Sequence, residues 1–198
     1  MNTDRERPTI PVPLPDGMEM GIRPIVATDA DLVSQTFSEM SDQSRYQRFF
    51  SPVDELSSHD LKYLTEMDGS TRFAWGARIN GRSVGVARFV RFSDEPLVAD
   101  VAIGIVDDFH HHGIGNALVR CLGPVADLVG IEKFSFDVLP SNTPMLNLLR
   151  SIQVTMDHDG RIQRGRVKVN DLPPPPVDPD LLLTMVQEVV SPVVRKIP

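Results

Sequence analysis

Apolar and polar positions alternate over residues 18–25, the pattern of a half-buried strand. Three helical stretches follow. In the first, Leu32, Val33 and Phe37 share a core face, and Thr28 is placed to cap it. Asp29 and Asp31 fall in its first turn, where the helix dipole favours anions. The second covers residues 41–50. The third covers residues 57–67, with Ser57 as cap and Asp60 at the reciprocal position of a capping box. Strand patterns then occupy residues 73–79 and 83–92. They flank Asn80-Gly81-Arg82, and Asn-Gly tolerates the positive φ that a tight hairpin needs. A strand at 97–106 leads to a long helix at 113–129, where Ala117, Leu118, Cys121, Leu122, Val125, Leu128 and Val129 keep helical spacing. Gly123-Pro124 predicts a kink within it. Residues 134–139 read as a strand, 143–152 as a helix, and 161–169 as a last strand after an Asp159-Gly160 turn.

The two ends depart from this pattern. Pro8, Pro11, Pro13 and Pro15 are expected to block both helix and ladder, which makes residues 1–17 a flexible leader. Residues 173–176 are four prolines, expected to form a stiff polyproline II linker. Asp180 is then placed to cap a short helix over residues 181–190. Leu181, Leu182, Leu183, Met185, Val186, Val189 and Val190 leave that helix apolar on most sides. It is expected to pack on its own domain, or on a second copy in a homodimer, ahead of a foreign partner. The organisation is therefore a leader (1–17), one domain (18–170) and a tail (171–198). The domain is of mixed α/β (α+β) class, with helices covering a largely antiparallel central sheet.

Composition narrows the partners. At 198 residues and 41% hydrophobic, the chain supports one full core. A formal net charge of −7 argues against a general nucleic-acid binder and mildly favours a cationic acceptor. One cysteine, Cys121, excludes an intrachain disulfide and a cysteine-based zinc site, and suits a reducing compartment. The first fifteen residues lack the apolar run of a signal peptide, and no stretch approaches the roughly 20 apolar residues of a membrane span. A cytoplasmic protein with no membrane partner is the expectation.

The chemistry concentrates in residues 99–118, where a strand runs into a short turn, then Gly113-Ile114-Gly115, then a helix. Unpaired backbone N–H groups at such a helix start form a site for phosphate. The glycines let a diphosphate approach without Cβ interference. His111 and His112 add donors, and positive charge when protonated. No Gly-Lys-Ser/Thr follows, so the P-loop is excluded; a third glycine is missing, so the dinucleotide fingerprint is too. On these residues alone, a plain tight strand-to-helix turn stays equally open.

The wider stretch changes that balance. His110-His111-His112-Gly113-Ile114-Gly115 resembles the acetyl-CoA-binding motif of the GNAT superfamily of N-acetyltransferases, which reads Gln or Arg, two residues, Gly, any residue, then Gly or Ala. Ser44-Arg45-Tyr46-Gln47-Arg48-Phe49-Phe50-Ser51-Pro52 resembles a stretch common in bacterial protein lysine acetyltransferases, and Asp107-Asp108-Phe109 matches the approach to their loop. Val138-Leu139-Pro140-Ser141-Asn142-Thr143-Pro144-Met145 resembles their second cofactor motif. The likeness runs in order over residues 20–169.

The resemblance implies acetyl-CoA as acyl donor, held where two strands splay apart. The pantetheine arm would pair with backbone at Ile103, Ile105 and Val106, like an added strand. The pyrophosphate would lie on the amides of His111, His112, Gly113, Ile114, Gly115 and Asn116. Asn142 and Met145 would complete the cofactor site. The acceptor would be an amine, a protein lysine or a small molecule. The family's lysine acetyltransferases carry a catalytic glutamate ten positions before the loop's Gln; Asp100 stands there, ten before His110. One methylene shorter, it is expected to act as general base through a water.

The sequence also departs from the family. Three histidines replace the usual Gln-Gly-Arg or Gln-Gly-Lys, Leu149 stands where many members place a tyrosine acid, and Gln153-Val154 replaces Gly-Phe. A non-catalytic acyl-CoA-binding regulatory module of the same fold is the alternative. Adjacent histidines lack metal-ligand spacing, so no metal site is expected. His59 and His158 stand alone. Asp107 and Asp108 are expected to cap their own turn, and Arg45 and Arg48 to face solvent or pair with acids ahead of lining the acceptor channel.

Overall fold

The computed structural model of the protein describes residues 7–157 and 160–194. The first six residues of the expected leader, His158 and Asp159 lie outside the described residues, as do the side chains of Val189 and Val190. Among the described residues, eight strands form one sheet: β1 (Ile10–Pro13), β2 (Glu19–Pro24), β3 (Arg72–Ile79), β4 (Arg82–Arg91), β5 (Val98–Ile105), β6 (Lys133–Val138), β7 (Thr155–Asp157) and β8 (Gln163–Lys168). Their spatial order is β1-β2-β3-β4-β5-β6-β8-β7. Every neighbouring pair is antiparallel except β5 and β6. The helices are α1 (Ala30–Ser38), α2 (Asp42–Phe49), α3 (Ser58–Thr65), α4 (Ile114–Leu128), α5 (Thr143–Ser151) and α6 (Pro179–Val194).

Local signals explain most boundaries. Ser41 and Ser57 cap α2 and α3, and Asp60 returns the bond to the Ser57 amide as a capping box. Asn80 and Gly81, with φ of 50° and 79°, form the two-residue turn that joins β3 to β4. Helix α4 runs unbroken across Gly123-Pro124.

Three expectations change. Ile10–Pro13 is a strand, paired to β2 from Ile10↔Ile22 to Pro13↔Glu19, not an unpaired leader. It is an edge strand, which needs donors on one side only. The Leu14 amide donates to the Met18 carbonyl, so even-numbered amides face β2 and the proline nitrogens face outward. Ile10, Val12 and Leu14 are buried in return. Second, Asp29 rather than Thr28 anchors the start of α1. Its carboxylate accepts from both terminal Arg23 nitrogens, at 2.7 and 2.8 Å, and from the Val26 amide at 2.8 Å. Thr28 instead accepts from Arg7. Third, the three-residue strand β7 is too short to have left a period in the sequence.

The main core lies between the sheet and α4. Phe73, Trp75, Phe89, Phe134 and Phe136 are fully buried there, and Trp75 Nε1 donates to the Cys121 carbonyl at 2.9 Å, tying sheet to helix. A smaller cluster of Ile25, Val33 and Ala74 sits under α1 and α3 on the other face. Leu182 and Val186 of α6 are buried in the main core, so the apolar tail helix docks on its own chain, against α4 and β2. No described helix is long and apolar enough to cross a membrane.

The Arg23–Asp29 pair is buried, its side chains 4% and 2% exposed, and is costly to break singly. Removing one partner strands a buried charge, so Asp29→Ala is expected to lose about 3–5 kcal/mol in urea unfolding. Burial alone would raise the Asp29 carboxyl, but the Arg23 and Val26 hydrogen bonds outweigh it and hold the group below its ordinary value. This contribution is therefore complete above the unfolded carboxyl pKa of about 3.9 and lost as pH falls through the lower folded value. Wild-type stability should fall in that acid window more steeply than that of Asp29→Ala.

Candidate active site

Strand β5 organises the site. It pairs with β4 along residues 99–105, but with β6 only at Val98↔Lys133, Ala99↔Phe134 and Asp100↔Ser135. Beyond Asp100 the two parallel strands part, and a cleft of about 680 Å³ opens beside residues 103–105. The crossover from β5 to β6 brings the start of α4 to the mouth of this opening, a position where α/β sheets commonly hold ligands.

Nine of the eleven residues expected to hold the cofactor line this cleft: Ile103, Ile105, His111, Gly113, Ile114, Gly115, Asn116, Asn142 and Met145. Two do not. Val106 is 1% exposed and its amide donates to the Val84 carbonyl at 2.9 Å, so it has no N–H left for a ligand. The His112 ring turns away to donate through Nδ1 to the Asp16 carboxylate. Its backbone remains part of the loop.

The loop's glycines have steric reasons beyond ligand approach. Gly113 has φ +84°, and a Cβ there would stand 2.8 Å from Pro15 Cδ. A Cβ at Gly115 would stand 2.6 Å from Leu148 Cδ1. The leader and α5 thus pack directly onto the loop. First-turn amides of α4 at Ile114, Gly115 and Asn116 have no helical acceptor and fit a diphosphate. Arg120, little more than one turn further on, lines the same cleft and brings a cation to it. Its Nε donates to the Pro174 carbonyl at 2.7 Å, and its Nη1 to Asn116 Oδ1 at 3.2 Å. His110 Nε2 donates to the Ile105 carbonyl at 3.0 Å, which fixes its tautomer. Asn142 caps α5 by accepting from the Met145 amide at 3.1 Å. Asn116 Nδ2 donates to Ser151 Oγ at 2.9 Å, bracing α4 against α5.

Residues from α2 complete the cleft, and sequence reasoning did not assign them: Ser44, Gln47 and Arg48, with Met40 just before the helix. Asp107 positions them. Rather than capping its own turn, its carboxylate accepts from the Ser41 amide (2.8 Å), Ser41 Oγ (2.7 Å) and Ser44 Oγ (2.8 Å), pinning the start of α2 to the end of β5. Asp108 instead pairs with Arg82 at 3.3 Å. Arg45 pairs with Asp42, as the simpler reading of that residue had it, whereas Arg48 lines the cleft.

Asp100 does not line the cleft. It faces a second groove of about 510 Å³, walled by Phe50, Tyr63 and Phe92 and by Asp94, Glu95 and Asp137. Arg164 pairs with Asp137 and Arg166 with Glu95, both across 2.7–2.8 Å. Asp94 and Asp100 have no ion pair among the described residues. Burial raises the Asp100 carboxyl, and the neighbouring Asp137 adds to that; Arg48 and Arg88 partly oppose it. Burial, with Arg88 alongside, pushes the Arg48 guanidinium down to about 9, which leaves it cationic at neutral pH. Leu149, at the position of the family's tyrosine, is fully buried. Among the described residues, no group of three or more His, Cys, Asp or Glu side chains is placed to hold a metal ion.

Comparisons with known proteins agree with this geometry. The family model described as "Acetyltransferase (GNAT) domain" matches residues 19–155. The Acetyltransferase Pat of Mycolicibacterium smegmatis is 30% identical over 178 residues, 87% of this chain. The chain spans about half the length of that relative, 53%. The crystal structure of the GNAT domain of S. lividans PAT superposes with a TM-score of 0.77 at 28% identity, covering 81% of this chain and 96% of that one. A cAMP-binding acyltransferase from Mycobacterium smegmatis superposes at 0.65 and 26% identity, over 92% of this chain and 55% of that protein. With a cleft built on splayed strands and a family match over most of its length, the chain belongs to the GNAT acetyltransferases, whose acyl donor is acetyl-CoA.

Proposed function

We propose that the protein transfers an acetyl group from acetyl-CoA to an amine, that the acceptor is a protein lysine side chain, and that Asp100 is the general base. The observation carrying this reading is that one strand serves two cavities: β5 lines the donor cleft at residues 103–105 and the second groove at Asp100. The groove suits a lysine. Phe50, Tyr63 and Phe92 offer apolar walls to the methylene stem, and the unpaired Asp94 and Asp100 attract the ammonium. Similarity to a protein named Acetyltransferase Pat points the same way.

The chemistry then runs along β5. The acceptor ammonium gives a proton to Asp100 through an intervening water, and the burial-raised carboxyl is a better base for it. Strand rise puts Asp100 roughly 10 Å from the level of Ile103, where the donor cleft begins, a span for the aspartate side chain and bridging water together. The free amine attacks the thioester carbonyl carbon, forming a C–N bond, and a backbone N–H of β5 donates to the oxyanion. The C–S bond breaks, and the thiolate takes up, relayed by water, the second proton that the attacking nitrogen loses, because buried Leu149 offers none.

Two variants test this in turn. Gly113→Glu places a carboxylate in the phosphate nest and is expected to abolish calorimetric acetyl-CoA binding; retained affinity would refute the cleft as donor site. Asp100→Ala should leave that affinity intact while kcat/KM with a lysine-rich protein falls by about 100-fold or more. Binding without thiol release in the wild type would favour the regulatory module instead. The rate should fall as pH drops through the Asp100 pKa, because only the carboxylate accepts a proton. That acid limb should lie above the ordinary aspartate value of about 3.9 and vanish in Asp100→Ala.

A further inference from the structure

Between the donor and acceptor cavities stand two half-buried arginines, one of which, Arg88, has no role in either. Arg88 lies on β4 opposite Ala102, so it occupies the same sheet face as Asp100 and Gly104 and stands between them. Its Nε and Nη1 are shielded from solvent and have no hydrogen-bond partner. Its guanidinium stacks 4.7 Å over the Tyr63 ring. Arg48 comes down from α2 onto the same spot. Neither arginine has an acid within salt-bridge distance among the described residues, and Asp100 is the only carboxylate that acts on both. Two cations therefore face one anion.

Both arginines line a small cavity of about 50 Å³ behind Gly104, otherwise walled by Thr36 and by apolar residues such as Val33, Phe37 and Leu64. Met40, Arg48 and Gly104 border it and the donor cleft alike, so the cavity adjoins the place where the acyl group would sit. A water needs roughly 10–15 Å³ of such space, so about three or four heavy atoms fit. Buried N–H groups without partners are costly, and a buried excess positive charge is costlier. A small ligand group that offsets both must be anionic, planar and short.

We infer that Arg48 and Arg88 form a carboxylate subsite beside the acyl position, and that the protein recognises a reactant bearing a free carboxylate there. Acetyl-CoA and a protein lysine carry no such group, so the subsite serves a second class of substrate at the same cleft: the carboxylate comes either from the donor, as the terminal group of a short dicarboxylic acyl-CoA, or from the acceptor, as the α-carboxylate of an amino acid. The Nε and Nη1 donors of Arg88 lie on different sides of its guanidinium, so a carboxylate accepts from one of them, and the charge of Arg48 alongside adds to the attraction. The inference rests on the cleft being an acyl-CoA site.

The experiment has two arms. In the first, succinyl-CoA and butyryl-CoA, matched in chain length, are titrated calorimetrically into the wild type and into Arg88→Met. In the second, release of CoA thiol from acetyl-CoA is followed with free amino acids and with their amides. The expected result is a preference of about tenfold or more for the carboxylate-bearing member in one arm, collapsing toward unity in Arg88→Met while affinity for CoA itself is unchanged. The arm that responds identifies the source. Equal affinities for the two thioesters together with equal rates for acids and amides would overturn the subsite and leave the cleft assignment standing. Absence of binding by any CoA thioester would overturn both. Lower turnover in Arg88→Met without any wild-type preference also overturns the subsite, since it would make Arg88 only a support for Asp100. The wild-type ratios decide the matter alone if Arg88→Met does not fold.

Discussion

Strands β5 and β6 run side by side for three residue pairs and then separate. A parallel pair that stops pairing leaves a row of backbone donors and acceptors without partners, a cost the fold accepts only where something else can satisfy them. In this protein the split sets the position of everything around it. Helix α4, as the crossover between the two strands, has to begin at the open end, and its unpaired first-turn amides look into the gap. Helix α5 follows β6 and closes the far wall. The cleft is thus the geometric remainder of an unfinished ladder.

Holding such a gap open requires bracing from several sides. Asp107 fastens α2 to the end of β5 with three hydrogen bonds. Asn116 and Ser151 join α4 to α5. Arg120 ties the helix to the proline linker, and Pro15 leans on the loop at Gly113. These contacts draw on the leader, the second helix and the tail, regions with no strong pattern of their own. The same bracing carries Arg48 to the face where Arg88 and Asp100 stand. Three charged side chains from α2, β4 and β5 thereby share a partly buried environment in which burial works against every one of their charged forms.

The sequence made the fold class, the Asn80-Gly81 hairpin, the Ser57 capping box and the glycine turn into α4 legible, because each depends on residues close together in the chain. The edge strand at Ile10–Pro13 was hidden, since its prolines argue against a ladder until one side of the strand is known to face outward. Val106 and His112 could be assigned to the loop but not oriented: the Val84 carbonyl and the Asp16 carboxylate, both distant in sequence, take the groups they would have offered. The Arg48–Arg88 neighbourhood had no local signature at all. It exists only because the β4–β5 register places Arg88 opposite Ala102.

Without β1, strand β2 would be the rim of the sheet, with its amides open to any passing extended chain. Ile10–Pro13 closes that rim and presents proline nitrogens to the outside, where no further strand can add. The residues that spoil its sequence pattern are thus a guard against polymerisation. The segment that follows immediately, through Leu14 and Pro15, is also a wall of the donor cleft. A chain shortened past Pro15 would lose both together, so self-association and failure to hold the acyl donor would arise from one cut.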